Sequence, residues 1–147
     1  LFETFARPQG FDVVLGTVVL EHVDDPMTVL RQSTRWLAAG GCGIFTVPNR
    51  TSQHRRIGRR MGILREEGAF SDQDRRLGHR RVYDITALEA DLRTAGYRRI
   101  DIRGYNLKLV STTMMAGWSR QLLDALYEVS RELPPDLCAD LLALCRL

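Results

Sequence analysis

The sequence predicts an α/β fold whose first two strands run parallel, and three stretches carry that reading. Phe11–Val19 (FDVVLGTVV) is a nearly continuous apolar run rich in β-branched residues, the pattern of a strand covered on both faces. Met27, Leu30, Thr34 and Leu37 then recur at helical spacing. Cys42–Val47 (CGIFTV) is a second short apolar run, ended by Pro48-Asn49. Strand, helix and strand joined by short connections make a βαβ unit, and such units carry parallel strands.

Each element has local signals. Asp24 or Asp25 can cap the first helix, with Pro26 at its first position. Gly40 and Gly41 are expected to stop it. Residues 49–82 are Arg-rich, punctuated by Gly and weakly periodic, which predicts loops and short helices. One of these helices is capped by a Ser71–Asp74 box (SDQD). Thr86–Glu89 (TALE) reads as a second capping box. Ile85, Leu88, Leu92 and Ala95 give that helix its apolar face, and Gly96 ends it. Arg98–Arg103 alternates weakly and reads as a strand. Met115, Trp118, Leu122, Leu126 and Val129 form one amphipathic helix closed by Pro134-Pro135. The tail, CADLLALC, is helical by composition and a terminal strand by length and position. With no repeat, linker or composition boundary, residues 1–147 read as a single domain.

Composition excludes several classes. Hydrophobic residues make up 44% and charged residues 27%, an ordinary globular balance. No apolar run approaches the roughly 20 residues of a membrane span. No charged-then-apolar leader opens the chain, so a cytoplasmic location is expected. Cys42, Cys138 and Cys145 lack metal-ligand spacing, and the three histidines form no H-x-x-x-H signature, so no metal is expected. The net charge is only +3, and aromatics are sparse among the arginines, so nucleic acid is not an expected partner. Lys108 is the sole lysine. The arginines between Arg50 and Arg81 read either as a solvated face or as forks for phosphate or carboxylate.

In open parallel sheets ligands sit beyond the carboxyl ends of the strands. Glu21 and His22, in VVLEHVDDP, lie just past such an end. FDVVLGTVVLEHVDDP, a helix, and then LAAGGCGIFTVPN resemble the second half of class I S-adenosylmethionine-dependent methyltransferases, with Ala39 where the family has proline. SQHRRIGRRMG, SDQDRRLGHRRVYD and the LEADLRTAGY helix resemble one bacterial branch of that family. The resemblance implies a partial Rossmann-like methyltransferase fold, a mostly parallel sheet with an antiparallel last strand and a helical cap. Phe11–Thr17, Cys42–Val47 and Arg98–Arg103 would be the fourth to sixth strands, and Ala139–Arg146 the last. Residues 49–82 and 105–135 would be cap elements.

The family's Gly-rich cofactor turn is absent from Leu1–Gly10. The expectation is therefore part of a longer enzyme that moves a methyl group from S-adenosylmethionine to a small-molecule acceptor. The rival expectation is a non-catalytic remnant or interaction module. The fourth-strand equivalent would lack a neighbour, which two chains could cover in a homodimer.

By the same resemblance, Gly16, Thr17, Val18 and His22 border the cofactor. Their plain structural reading is a close-packed strand end and a hydrogen-bonded turn. His54 and His79 are candidate bases for the acceptor proton, or else loop histidines bonded to backbone. Arg80, Arg81 and Tyr83, beside His79, are candidates for holding an acidic acceptor.

Overall fold

A computed structural model describes Phe5 and residues 10–147. Strand β1 (Phe11–Thr17) leads through a turn to helix α1 (Pro26–Trp36), strand β2 (Leu37–Pro48) and the short helices α2 (Gln53–Arg60) and α3 (Asp72–Leu77). Helix α4 (Ile85–Ala95) precedes strand β3 (Arg99–Tyr105), helices α5 (Thr112–Met115) and α6 (Arg120–Ser130), and strand β4 (Asp140–Arg146). The sheet order is β1-β2-β4-β3. β1 and β2 pair in parallel, and β4 pairs antiparallel with both β2 and β3. The first three strands therefore share one direction and the last opposes them, as the family resemblance implied. The tail is a strand despite its composition.

One face of the sheet holds the core. Phe45 and Val47 of β2 stand beside Ala143 and Leu141 of β4, and Cys145 continues the row. Val29 and Leu30 of α1 and Leu88 and Leu92 of α4 close over them. Alternation along β4 puts Leu141, Ala143 and Cys145 fully inside and leaves the residues between them partly exposed.

β1 departs from its expected burial on both faces. It lies at the sheet edge among the described residues, with Val13 and Leu15 exposed, Leu15 to 64%. No described element covers them, so their apolarity finds no partner.

Local signals were mostly obeyed. Asp25 caps α1, accepting from Met27 N at 2.9 Å, and Pro26 begins the helix. The Ser71–Asp74 box is present at α3, and Gly96, at φ 117°, ends α4. Three details differ. α1 stops at Trp36 and Leu37 enters β2 at once. Gly40 and Gly41 instead sit inside β2, where the register slips between Phe11 and Val13 of the neighbouring strand. A Cβ on Gly41 would lie 3.0 Å from the Phe11 and Asp12 carbonyl oxygens, so the glycines serve an irregularity in the strand. The cap of α4 is Asp84, which accepts from Ala87 N at 2.7 Å, two residues before the expected Thr86. The single helix expected over 115–129 is broken. Ser119 caps α6 afresh, accepting from Leu122 N, after a bend that contains Gly117.

Candidate active site

A cleft of about 380 Å³ opens beyond the end of β1, between α2, α3 and the segment before α5. Val18 and Pro48 line it from the sheet, and His54, Asp74, His79, Lys108 and Asp140 line its polar part. Ile57, Met61, Leu64, Leu77 and Met114 make its apolar wall.

Val18 follows β1 with φ 55°, a left-handed conformation rare for a β-branched residue, and is 51% exposed. Its N–H donates to Thr46 O at 3.0 Å, which holds the strained residue in place. Gly16 is packed on Phe45: a Cβ there would stand 2.6 Å from the Phe45 ring. Thr17 is exposed between them.

The polar part is organised around Asp74. Its Oδ2 accepts from Arg55 Nη2 at 2.6 Å and from Ser71 N and Oγ at 2.8 and 2.7 Å. Burial pushes the Asp74 carboxyl up, but the Ser71 hydrogen bonds and the Arg55 guanidinium outweigh it and hold the group below the ordinary value. Arg55, itself buried, also donates to Glu67 O and Ala69 O. The other Asp74 oxygen lies 3.0 Å from His79 Nδ1. The direction of approach is poor for a hydrogen bond, and both ring nitrogens of His79 remain buried without a partner. Burial lowers the His79 pKa against the opposing pull of Asp74.

His22 meets His79 edge to face, with ring centroids 4.8 Å apart. Glu21, beside it, is fully buried, and neither carboxylate oxygen has a hydrogen-bond partner. Burial raises its pKa. One ligand atom each from Glu21, His22 and His79 lies within 4.8 Å of the others.

Across the cleft, His54 Nδ1 lies 3.1 Å from Ser52 Oγ. Burial, helped by Lys108 and Arg55, pushes the His54 pKa down to about 4, so the ring is neutral at pH 7. Asp140, whose pKa burial raises, accepts from Asn106 Nδ2 at 3.0 Å.

The methyltransferase-domain model matches residues 2–102. The chain belongs to the methyltransferase-domain family. No curated protein matches its sequence. Among solved structures, an S-adenosylmethionine-dependent methyltransferase from Thermotoga maritima superposes with TM-score 0.60 at 17% identity, covering 97% of this chain and 59% of that one. One from Archaeoglobus fulgidus gives 0.56 at 17%, covering 95% and 61%. Phosphoethanolamine N-methyltransferase 2 of Haemonchus contortus, in complex with S-adenosyl-L-methionine, gives 0.51 at 14%, covering 95% and 34%. These likenesses establish the fold. The chain spans less than two thirds of each of these neighbours.

In this methyltransferase domain, Val18, His54 and His79 line the cleft, and His22 contacts His79. Arg80, Arg81 and Tyr83 do not line it. Arg80 pairs with Asp24. Arg81 donates through Nη1 to Leu20 O and Val23 O, at 2.6 and 2.5 Å, and through Nη2 to Asp24 O at 2.8 Å. Tyr83 is buried and its hydroxyl donates to Asp91 at 3.1 Å. Arg80 and Arg81 clamp the segment after α3 onto the turn after β1, and Tyr83 ties it to α4. Arg50, Arg56 and Arg59 likewise pair with Asp84, Asp136 and Glu67. Sequence reasoning missed Arg55, Asp74 and Asp140. Arg55 looks like any member of its run, Asp74 looked spent on its capping box, and Asp140 opens a strand. Among the described residues no helix is long and apolar enough to cross a membrane.

Proposed function

We propose that the chain is part of a longer enzyme that transfers a methyl group from S-adenosylmethionine to a small-molecule acceptor. The observation that carries this reading is the cleft itself: it opens at the carboxyl end of β1, and Val18 and His54 both line it. Its volume suits a small molecule.

The residues present fit one side of the cofactor. The β1 end offers Gly16, Thr17 and Val18, and Val18 is exposed in a strained backbone conformation of the kind that clusters at ligand sites. His22 borders the same end. When bound, the cofactor supplies an electrophilic methyl group on a sulfonium. Its sulfur would be the leaving group, keeping the carbon–sulfur electron pair, for attack by the acceptor's nitrogen or oxygen. The acceptor's proton would pass to a cleft-lining histidine, His54 as the first candidate and His79 as the second. Residues 49–82 and 105–135 act as the cap over the acceptor. Arg80, Arg81 and Tyr83 reach the acceptor only indirectly, the two arginines by fixing the cap on the β1 turn and Tyr83 by tying it to α4. Lys108 is the cation placed to meet an acidic group of the acceptor.

Calorimetric titration of S-adenosylhomocysteine tests the reading, on the 147-residue chain and on the longer protein encoded around it. Binding by the longer protein is the expected result. Binding by neither overturns the reading in favour of a non-catalytic module. Binding by the 147-residue chain alone would show a site built by this segment or by two copies of it. In the longer protein, His54→Ala should lower turnover about 100-fold or more while leaving S-adenosylhomocysteine affinity unchanged. Unchanged turnover would remove His54 as the base.

His54 also makes a prediction for stability. Its folded pKa, about 4, lies below the unfolded value near 6.5. The unfolded chain therefore binds the extra proton between those pH values, and stability falls as pH drops through that window. Compared with His54→Gln in urea melts, the native chain should lose about 2–3 kcal/mol more between pH 7 and pH 4. Parallel pH profiles would contradict this assignment.

A further inference from the structure

We propose that Glu21, His22 and His79 form a binding site for a divalent transition-metal ion, with Asp74 as the outer partner of His79. The inference goes beyond methyl transfer and does not depend on it.

Three buried polar atoms gather here with no polar partner, both carboxylate oxygens of Glu21 and Nε2 of His79, whose Nδ1 lies 3.0 Å from Asp74. Native interiors rarely leave such atoms unpaired, and an absent ion is one of the few physical explanations. The nearby cation does not supply the missing partner. Arg81 directs its guanidinium at the carbonyls of Leu20, Val23 and Asp24. Arg80 N donates to the backbone oxygen of Glu21 at 2.7 Å, which fixes the main chain and leaves the side chain free.

The donor set suits a metal. Two imidazoles and one carboxylate are the ligands of zinc and of iron(II) or manganese(II) sites with open positions. The three ligand atoms lie within 4.8 Å of one another. Bonds of about 2.1 Å require ligand atoms about 3–4 Å apart, so the group closes by side-chain rotation, and half-buried His22 has room to turn. The surroundings add a second, independent sign. Metal-bound histidines present their other ring nitrogen to a carboxylate, which fixes the tautomer. Here His79 Nδ1 faces Asp74 at 3.0 Å, Asp74 is anchored by Arg55 and Ser71, and Nε2 is left for the ion. The histidines come from two segments distant in sequence, so no spacing signature could announce the site.

The test uses the chain stripped with chelator and titrated with Zn²⁺ by calorimetry, then with Co²⁺ by visible absorption. The expected result is one ion per chain, cobalt d–d bands, and a raised melting temperature with zinc. Glu21→Gln and His22→Ala should each weaken zinc binding at least tenfold, whereas His54→Ala and Cys42→Ser should leave it unchanged. His22 is half-buried in a turn, so its variant decides the matter if Glu21→Gln does not fold. Absence of stoichiometric binding overturns the proposal. So does binding that survives both ligand variants or is lost with Cys42→Ser. A zinc-indifferent chain in which Glu21→Gln alters stability would mean that Glu21 shares a proton with His79 instead.

Discussion

Arg55→Met is expected to destabilise the fold by about 3–5 kcal/mol at pH 7. The guanidinium and the Asp74 carboxylate are both nearly inaccessible, with side-chain exposures of 5% and 8%, so neither can fall back on water. Removing the cation strands a buried carboxylate and also frees the carbonyls of Glu67 and Ala69 that Arg55 holds. The pH dependence has a definite sign. In the native chain Asp74 is held below its ordinary value, so its contribution is present above the unfolded carboxylate range and lost as pH falls through the lower folded value. Without Arg55 the carboxyl loses one of the groups that hold it down and rises, so the variant should close part of its gap to the native chain as the solution is acidified. Urea melts at pH 7 and pH 5 measure both quantities. A loss below about 1 kcal/mol would place the pair with exposed surface bridges instead. Arg55→Met combined with Asp74→Leu should recover most of the loss, because an apolar replacement strands no charge.

Asn49→Ala is expected to cost about 3 kcal/mol, with Asn49→Asp at least as damaging. Asn49 is fully buried after β2, and one amide holds together two distant pieces of chain. Its Nδ2 donates to the carbonyls of Cys138, Asp136 and Pro135, at 2.8, 3.1 and 3.4 Å. Its Oδ1 accepts from Thr51 N at 3.0 Å and Thr51 Oγ at 2.8 Å. Alanine leaves these groups without a partner. Aspartate restores the acceptor but turns a carboxylate toward three carbonyl oxygens. Equilibrium unfolding measures the loss, and a cost within 0.5 kcal/mol for both variants, the scale of ordinary surface substitutions, would show that water replaces the amide freely.

What could be read in advance divides by range. β1, α1 and β2 announce themselves because apolar period, Asp25, Pro26 and the β-branched run all act within a few residues. The Ser71–Asp74 box and Gly96 belong to the same local chemistry. Errors arose where two local signals competed. Asp84 and Thr86 both offer a capping oxygen, and the Asp84 cap starts α4 two residues earlier. Gly40-Gly41 fits a helix stop and a strand irregularity equally well, and pairing with β1 decides for the second. The tail strand was legible only by family resemblance, since Leu and Ala favour helix and only the sheet overrides them. The site was least legible. Glu21, His22, Asp74 and His79 meet because Arg81 and Arg80 bind the turn after β1, a tertiary event with no periodic trace. The same clamp bonds Arg80 and Arg81, two of the arginines read as possible ligand forks, to protein instead.

The position of β4 between β2 and β3 has a consequence for synthesis on the ribosome. β3 emerges with no sheet neighbour, because among the described residues its only strand partner is β4, which follows it by two helices. Until β4 is translated, β3 stands apart from the β1–β2 pair. Asn49 likewise waits for the Pro135–Cys138 carbonyls. The sheet therefore closes at its middle rather than growing from an edge, and closure depends on long-range pairings that form slowly. A chaperone that shields exposed strands would have to hold the nascent chain through that interval and release it only when β4 has left the tunnel.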